Sequence, residues 1–131
     1  MDTGYVVALL RREDEHHQWA TFLAGELQLP LLTCEAVLAE AAFHLQSSVE
    51  VLRMLQREAL RISFDCSSNL AQLQDLAARY ADRHPDLADL CLIRMSELYP
   101  RHFVVTVDEA DFRVYRRNKR EVIPLICPPK K

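Results

Sequence analysis

Hydrophobic positions change their period several times along the chain, and each change marks an element. Residues 29–33, Leu-Pro-Leu-Leu-Thr, are a short apolar run of strand length after Gly25. Residues 34–46 read as a helix with Thr33 placed to cap it. Over residues 49–59, Val51, Leu52, Leu55 and Ala59 recur at helical spacing. Residues 60–64, Leu-Arg-Ile-Ser-Phe, alternate apolar and polar and predict a strand. Ser67 or Ser68 then caps a helix carrying Leu70, Leu73, Leu76, Ala77 and Tyr80. Pro85 and Asp86 open another, with Leu87, Leu90, Cys91, Arg94 and Leu98 on one stripe. Residues 103–107 are β-branched and continuous, the pattern of a parallel strand covered on both faces. Residues 122–126 read as a last strand whose Pro124 favours an edge. Periodicity alone makes residues 5–10 a strand as well.

Strands alternating with helical segments argue for an α/β sandwich with a largely parallel sheet, which carries its site at the carboxyl ends of the strands. With 131 residues, 50% of them hydrophobic, the chain suits one globular domain over residues 1–131. Its two glycines, Gly4 and Gly25, stand too far apart for a glycine-rich phosphate loop, which excludes dinucleotide-binding and P-loop readings. Cys34, Cys66, Cys91 and Cys127 form no CxxC pair, so small buried or half-buried thiols are expected rather than a zinc site. No apolar run approaches the ~20 residues that cross a bilayer. The N-terminus has no signal-peptide pattern, so a soluble, cytoplasmic, thiol-reduced protein with no membrane partner is expected.

Acidic residues stand just after the predicted strands. Asp108 and Asp111 follow residues 103–107, Asp86 and Asp89 share the first turn of a helix, and Asp2 opens the chain. Glu40 interrupts a stretch, residues 36–43, that is apolar on nearly every side and reads as a buried helix. A carboxylate there has to be paired, metal-bound or protonated. Each acid has an ordinary alternative. Asp86 or Asp89 could cap a helix, Asp111 could cap residues 112–117, and Glu40 could meet an arginine. Two carboxylates ~5 Å apart, however, repel by roughly 3 kcal/mol at an effective dielectric of about 20. Several converging on one crevice need cations, and an all-oxygen set suits Mg2+ or Mn2+, which activate water for phosphodiester hydrolysis.

Four segments carry a resemblance. Met1-Asp2-Thr3-Gly4, Thr33-Cys34-Glu35-Ala36-Val37-Leu38-Ala39-Glu40, Asp86-Leu87-Ala88-Asp89-Leu90-Cys91 and Thr106-Val107-Asp108-Glu109-Ala110-Asp111-Phe112 resemble, in order, the acidic motifs of the PIN-domain family. The resemblance covers essentially the whole chain and looks closest to single-domain, VapC-like toxin ribonucleases of toxin–antitoxin modules. It implies a three-layer α/β/α sandwich with a mainly parallel four- to five-stranded sheet. The first strand is truncated, since only Met1 precedes Asp2, and residues 5–10 become the first helix. The implied activity is endonucleolytic cleavage of RNA with Mg2+ or Mn2+ as cofactor. Asp2, Glu40, Asp89 and Asp108 match the family's catalytic metal ligands. Asp86 and Asp111 are further ligand candidates, although one extra residue separates Asp111 from Asp108. Thr106 and Thr3 are expected to orient those carboxylates. A cognate antitoxin and a homodimer, with apolar surface near Leu52, Met54 and Leu55, are the implied protein partners.

A net charge of −3 looks unsuited to nucleic acid. Without Asp2, Glu40, Asp86, Asp89, Asp108 and Asp111, six negative charges, it becomes +3. Arg113, Arg116, Arg117, Lys119 and Arg120 then place five positive charges just after Asp111, with Tyr115 among them to stack on a base. Those six are the RNA-contact candidates, and Arg11 and Arg12 add to them. The five histidines, His16, His17, His44, His84 and His102, lack ligand spacing and are expected on the surface, while Trp19 is expected in the core. The leading reading is a metal-dependent toxin ribonuclease. The alternative is a degenerate PIN module that binds RNA or a protein without cutting.

Overall fold

In the computed structural model, described over residues 1–130, the apolar run at residues 5–10 lies in helix α1 (Thr3–Leu10). The Asp2 carboxylate caps this helix, accepting the Tyr5 N–H at 3.0 Å. Tyr5, Val6, Val7 and Ala8 are all buried, because α2 (His17–Glu26) and α3 (Glu35–Leu45) pack against different sides of it. Trp19 is half-buried on α2 and meets the Tyr5 ring edge-on, with centroids 5.6 Å apart.

Strand β1 (Leu31–Thr33) precedes α3 and pairs in parallel with β2 (Leu60–Ile62), which follows α4 (Val49–Gln56). Thr33 does not cap α3. It is buried in β1, and its hydroxyl has no partner among the described residues. Helix α4 buries Val51 and Met54 and leaves Leu52 60% exposed, so Met54 belongs to the core rather than to a free dimer face. After β2 it is Asp65, not Ser67 or Ser68, that organises the turn, accepting the Ser67 N–H at 3.2 Å and the Ser68 hydroxyl. A 3-10 turn then leads into α5 (Leu70–Arg79), which buries Leu73 and Leu76. Helix α6 (Leu87–Leu98) has no single apolar stripe. It buries Ala88, Leu90, Cys91, Leu92, Ile93, Met95 and Ser96, while the expected stripe members Leu87 and Leu98 are exposed. The reason is its position between α3 and α5.

The C-terminal part contains β3 (Val104–Val105), α7 (Glu109–Val114), the antiparallel hairpin β4 (Arg116–Arg117) with β5 (Glu121–Val122), and β6 (Leu125–Ile126), parallel to β3. The expected four- to five-stranded sheet is thus divided into parallel pairs. Leu31 and Thr33 bond toward β2, and Val104 and Thr106 toward β6. The alternate residues Leu32 and Val105 therefore face each other across a gap. Met1 and Asp2 bridge it: the Met1 ammonium donates to the Leu32 carbonyl at 3.0 Å, and the Asp2 N–H to the Val105 carbonyl at 2.9 Å. An apolar groove of about 640 Å³ opens between β1 and β3 beside them. The whole is a small α/β sandwich whose buried side chains form one core. All four cysteines are free, Cys34 and Cys91 buried and the others half-buried. No described helix is long and apolar enough to cross a membrane.

Candidate metal centre

Two helix starts place the acids. Asp86 caps α6 by accepting the Asp89 N–H at 2.8 Å, and Asp108 caps α7 by accepting the Asp111 N–H at 3.4 Å. In each helix the second acid lies three residues on, hence on the same face of the first turn. That geometry returns Asp111 to Asp108 in spite of the extra residue between them. It also makes Asp108, rather than Asp111, the cap of the segment that follows. Carboxylate oxygens of Asp89, Asp108 and Asp111 lie within 4.8 Å of one another. Asp2, Glu40 and Asp86 stand outside this trio but line the same cavity of about 570 Å³.

Asp2 is 6% exposed. One of its oxygens takes the Tyr5 N–H and the other the Thr106 hydroxyl, which itself accepts the Asp108 N–H at 2.8 Å. One buried hydroxyl thus ties two acids together. Burial pushes the Asp2 carboxyl up, and the Thr106 hydrogen bond opposes it. Thr106→Val keeps the shape but leaves a buried carboxylate oxygen and an N–H unpaired. The expected loss in urea unfolding is about 2–3 kcal/mol, with Thr106→Ser retaining most of the stability. Equal stability of the valine variant would show that this link carries no weight.

Glu40 is half-buried, not enclosed, because α3 buries only the Val37, Leu38 and Ala41 stripe and leaves Phe43 77% exposed. Burial and then the Asp86 charge raise its carboxyl, while the nearby Thr3 hydroxyl acts the other way. That hydroxyl is buried without a full hydrogen bond. Burial, followed by Asp86, drives Asp89 up to about 7, although the Tyr115 hydroxyl donates to it at 3.2 Å. Asp108 is raised by burial and by Asp111. Arg83 donates to Asp111 at 3.0 Å.

The family model of the PIN domain matches residues 1–118. The chain belongs to the PIN-domain family. PIN domains are nuclease folds, generally metal-dependent, and typically bind divalent metals through such acids. No curated protein matches the chain. In this PIN domain β6, the partner of β3, lies beyond the matched residues.

The cations of the expected RNA-contact run do not gather at the acid cavity. Tyr115 is 1% exposed, held edge-on between Tyr80 and Phe112 with its hydroxyl on Asp89, so its face is closed to a base. Arg117 is buried, donating to the carbonyls of Ser96 and Pro100 and to Glu121. Arg116 donates to the carbonyls of Arg113 and Tyr115, closing the end of α7. Arg113 pairs with Glu109 at 3.0 Å on the surface. Lys119 and Arg120 are exposed at the hairpin turn. None of these five cations lines the acid cavity; Arg11 and Arg83 do. Arg83 was without a sequence signal beyond its place just before Pro85 and Asp86. His44, His84 and His102 are exposed and His16 and His17 half-buried, and His16, His44 and His84 border the same cavity.

Proposed function

We propose that this PIN domain is a divalent-cation-dependent endoribonuclease that hydrolyses RNA phosphodiester bonds. The observation that carries the reading is the convergence of Asp89, Asp108 and Asp111 within 4.8 Å, at a cavity shared with Asp2, Glu40 and Asp86. The donor set fits Mg2+ or Mn2+: oxygen only, with carboxyls raised by burial and crowding and a buried Thr3 hydroxyl that makes no full hydrogen bond among the described residues. When bound, such a cation supplies Lewis-acid activation and offsets the repulsion among the carboxylates. Asp89, Asp108 and Asp111 would hold it, with Asp2 and Glu40 completing the acidic wall. Thr106 keeps Asp2 and Asp108 in fixed relation, and Tyr115 orients Asp89. Water adds to phosphorus, the bond to the 3′-oxygen breaks, and that oxygen leaves with a proton.

A labelled single-stranded RNA is expected to be cut with Mn2+ or Mg2+, to survive in EDTA, and to be cut again when Mn2+ is restored in excess. Cleavage that persists in EDTA overturns the reading. The likeness to VapC-like toxins supports a toxin role with an antitoxin as protein partner. Induced expression in a bacterial host is then expected to arrest growth in a manner that Asp89→Asn abolishes.

A further inference from the structure

We infer that Arg83 is a substrate-binding residue whose guanidinium alternates between Asp111 and the scissile phosphate. The inference rests on the nuclease reading and adds a positive group to it. An acidic cavity has to draw in a polyanion, and the obvious basic run is occupied elsewhere: Arg116 and Arg117 are spent on the fold, and the others do not line the cavity. Of the guanidinium groups that do, Arg11 donates to the His44 carbonyl. Arg83 instead holds the Oδ1 atom of Asp111 at 3.0 Å, and Asp111 belongs to the trio that would carry the cation. Asp111 therefore answers two positive partners.

The backbone beneath Arg83 is fixed and the side chain is not enclosed. The Arg83 N–H donates to Tyr80 at 2.9 Å and the His84 N–H to Ala81 at 3.2 Å, which holds the 3-10 turn Ala81–Arg83. The side chain is 36% exposed, and Asp111, at 41%, is its one carboxylate partner among the described residues. A half-exposed pair of this kind contributes little and exchanges readily. A guanidinium relieved of Asp111 is left at the cavity mouth with its planar fork of donors, which matches two phosphate oxygens.

The test compares Arg83→Ala, Arg83→Gln and Arg83→Lys with the wild-type protein, using Mn2+ alone by calorimetry and labelled RNA in saturating Mn2+. Loss of the competing cation is expected to tighten Mn2+ binding about fivefold in the Ala and Gln variants. The same variants are expected to lose about a hundredfold in kcat/KM. Lys is expected to fall between on both measures. These opposite directions are the signature, because a merely structural role moves metal affinity and cleavage down together. A joint fall, or no change in either, overturns the assignment of Arg83 while leaving a wild-type protein that binds Mn2+ and cuts RNA. A wild-type protein that does neither overturns the nuclease reading itself, and this inference with it.

Discussion

Asp89→Asn is expected to lower RNA cleavage by about a thousandfold and, in the metal-free protein at pH 8, to raise the thermal midpoint. The two effects share one cause. Asp89 is a partly buried carboxylate with Asp86, Asp108 and Asp111 close by, and burial first and those charges second drive its carboxyl up to about 7. The folded state therefore binds a proton that the unfolded chain has released, between the ordinary carboxyl value near ~4 and about 7. Across that interval this group makes stability fall as pH rises, and above it the stabilisation is gone. The asparagine variant lacks the slope. Its midpoint in EDTA is expected to converge with that of the wild type near pH ~4 and to exceed it at pH ~8. Added Mn2+ is expected to reverse the order, because it stabilises the wild type more. Undiminished cleavage by the variant would remove Asp89 from the site. Parallel pH profiles in EDTA would remove the crowding argument.

Gly4→Ala is expected to destabilise the protein by about 1–3 kcal/mol even though alanine is the better helix former. A Cβ at position 4 would stand 2.2 Å from Cγ2 of Val107 and 3.7 Å from the Asp2 carboxylate. Val107 cannot simply turn aside, because a β-branched side chain has few alternatives. It also joins Thr106 to Asp108, so moving it shifts both. The double variant Gly4→Ala, Val107→Ala is expected to regain much of the loss in urea unfolding. Gly25, with nothing within 4 Å of its added Cβ, is the control: Gly25→Ala is expected to be neutral or stabilising by up to about 1 kcal/mol. A Gly4→Ala protein as stable as the wild type would refute the close packing of α1 on Val107.

Helices and acids were the legible parts of this chain for a common reason. A capping acid followed by another three residues later is a local device, and both Asp86 with Asp89 and Asp108 with Asp111 use it at the start of a helix. What periodicity could not supply is which polar side chains the core absorbs. Arg117 and Tyr115 look like surface groups in the run Arg113-Val114-Tyr115-Arg116-Arg117; the packing of α6 against β4 makes Arg117 interior, and Tyr80 and Phe112 enclose Tyr115. The turn that follows left a local trace: Asn118, at φ 49°, tolerates the left-handed region better than most residues, and Lys119 follows at φ 71°. Glu40 misled in the opposite direction, since alanines on every side of a helix do not enclose it.

The way Met1 bridges the two strand pairs has a consequence for handling the protein. Its ammonium is buried, pulled below its ordinary value by that burial, and hydrogen-bonded to Leu32. An acetyl group on that nitrogen would exchange the charged donor for an amide with a single N–H, one residue from Asp2. Labels meant to leave the acids undisturbed therefore belong on exposed lysines such as Lys119 and Lys130, neither of which lines the acid cavity.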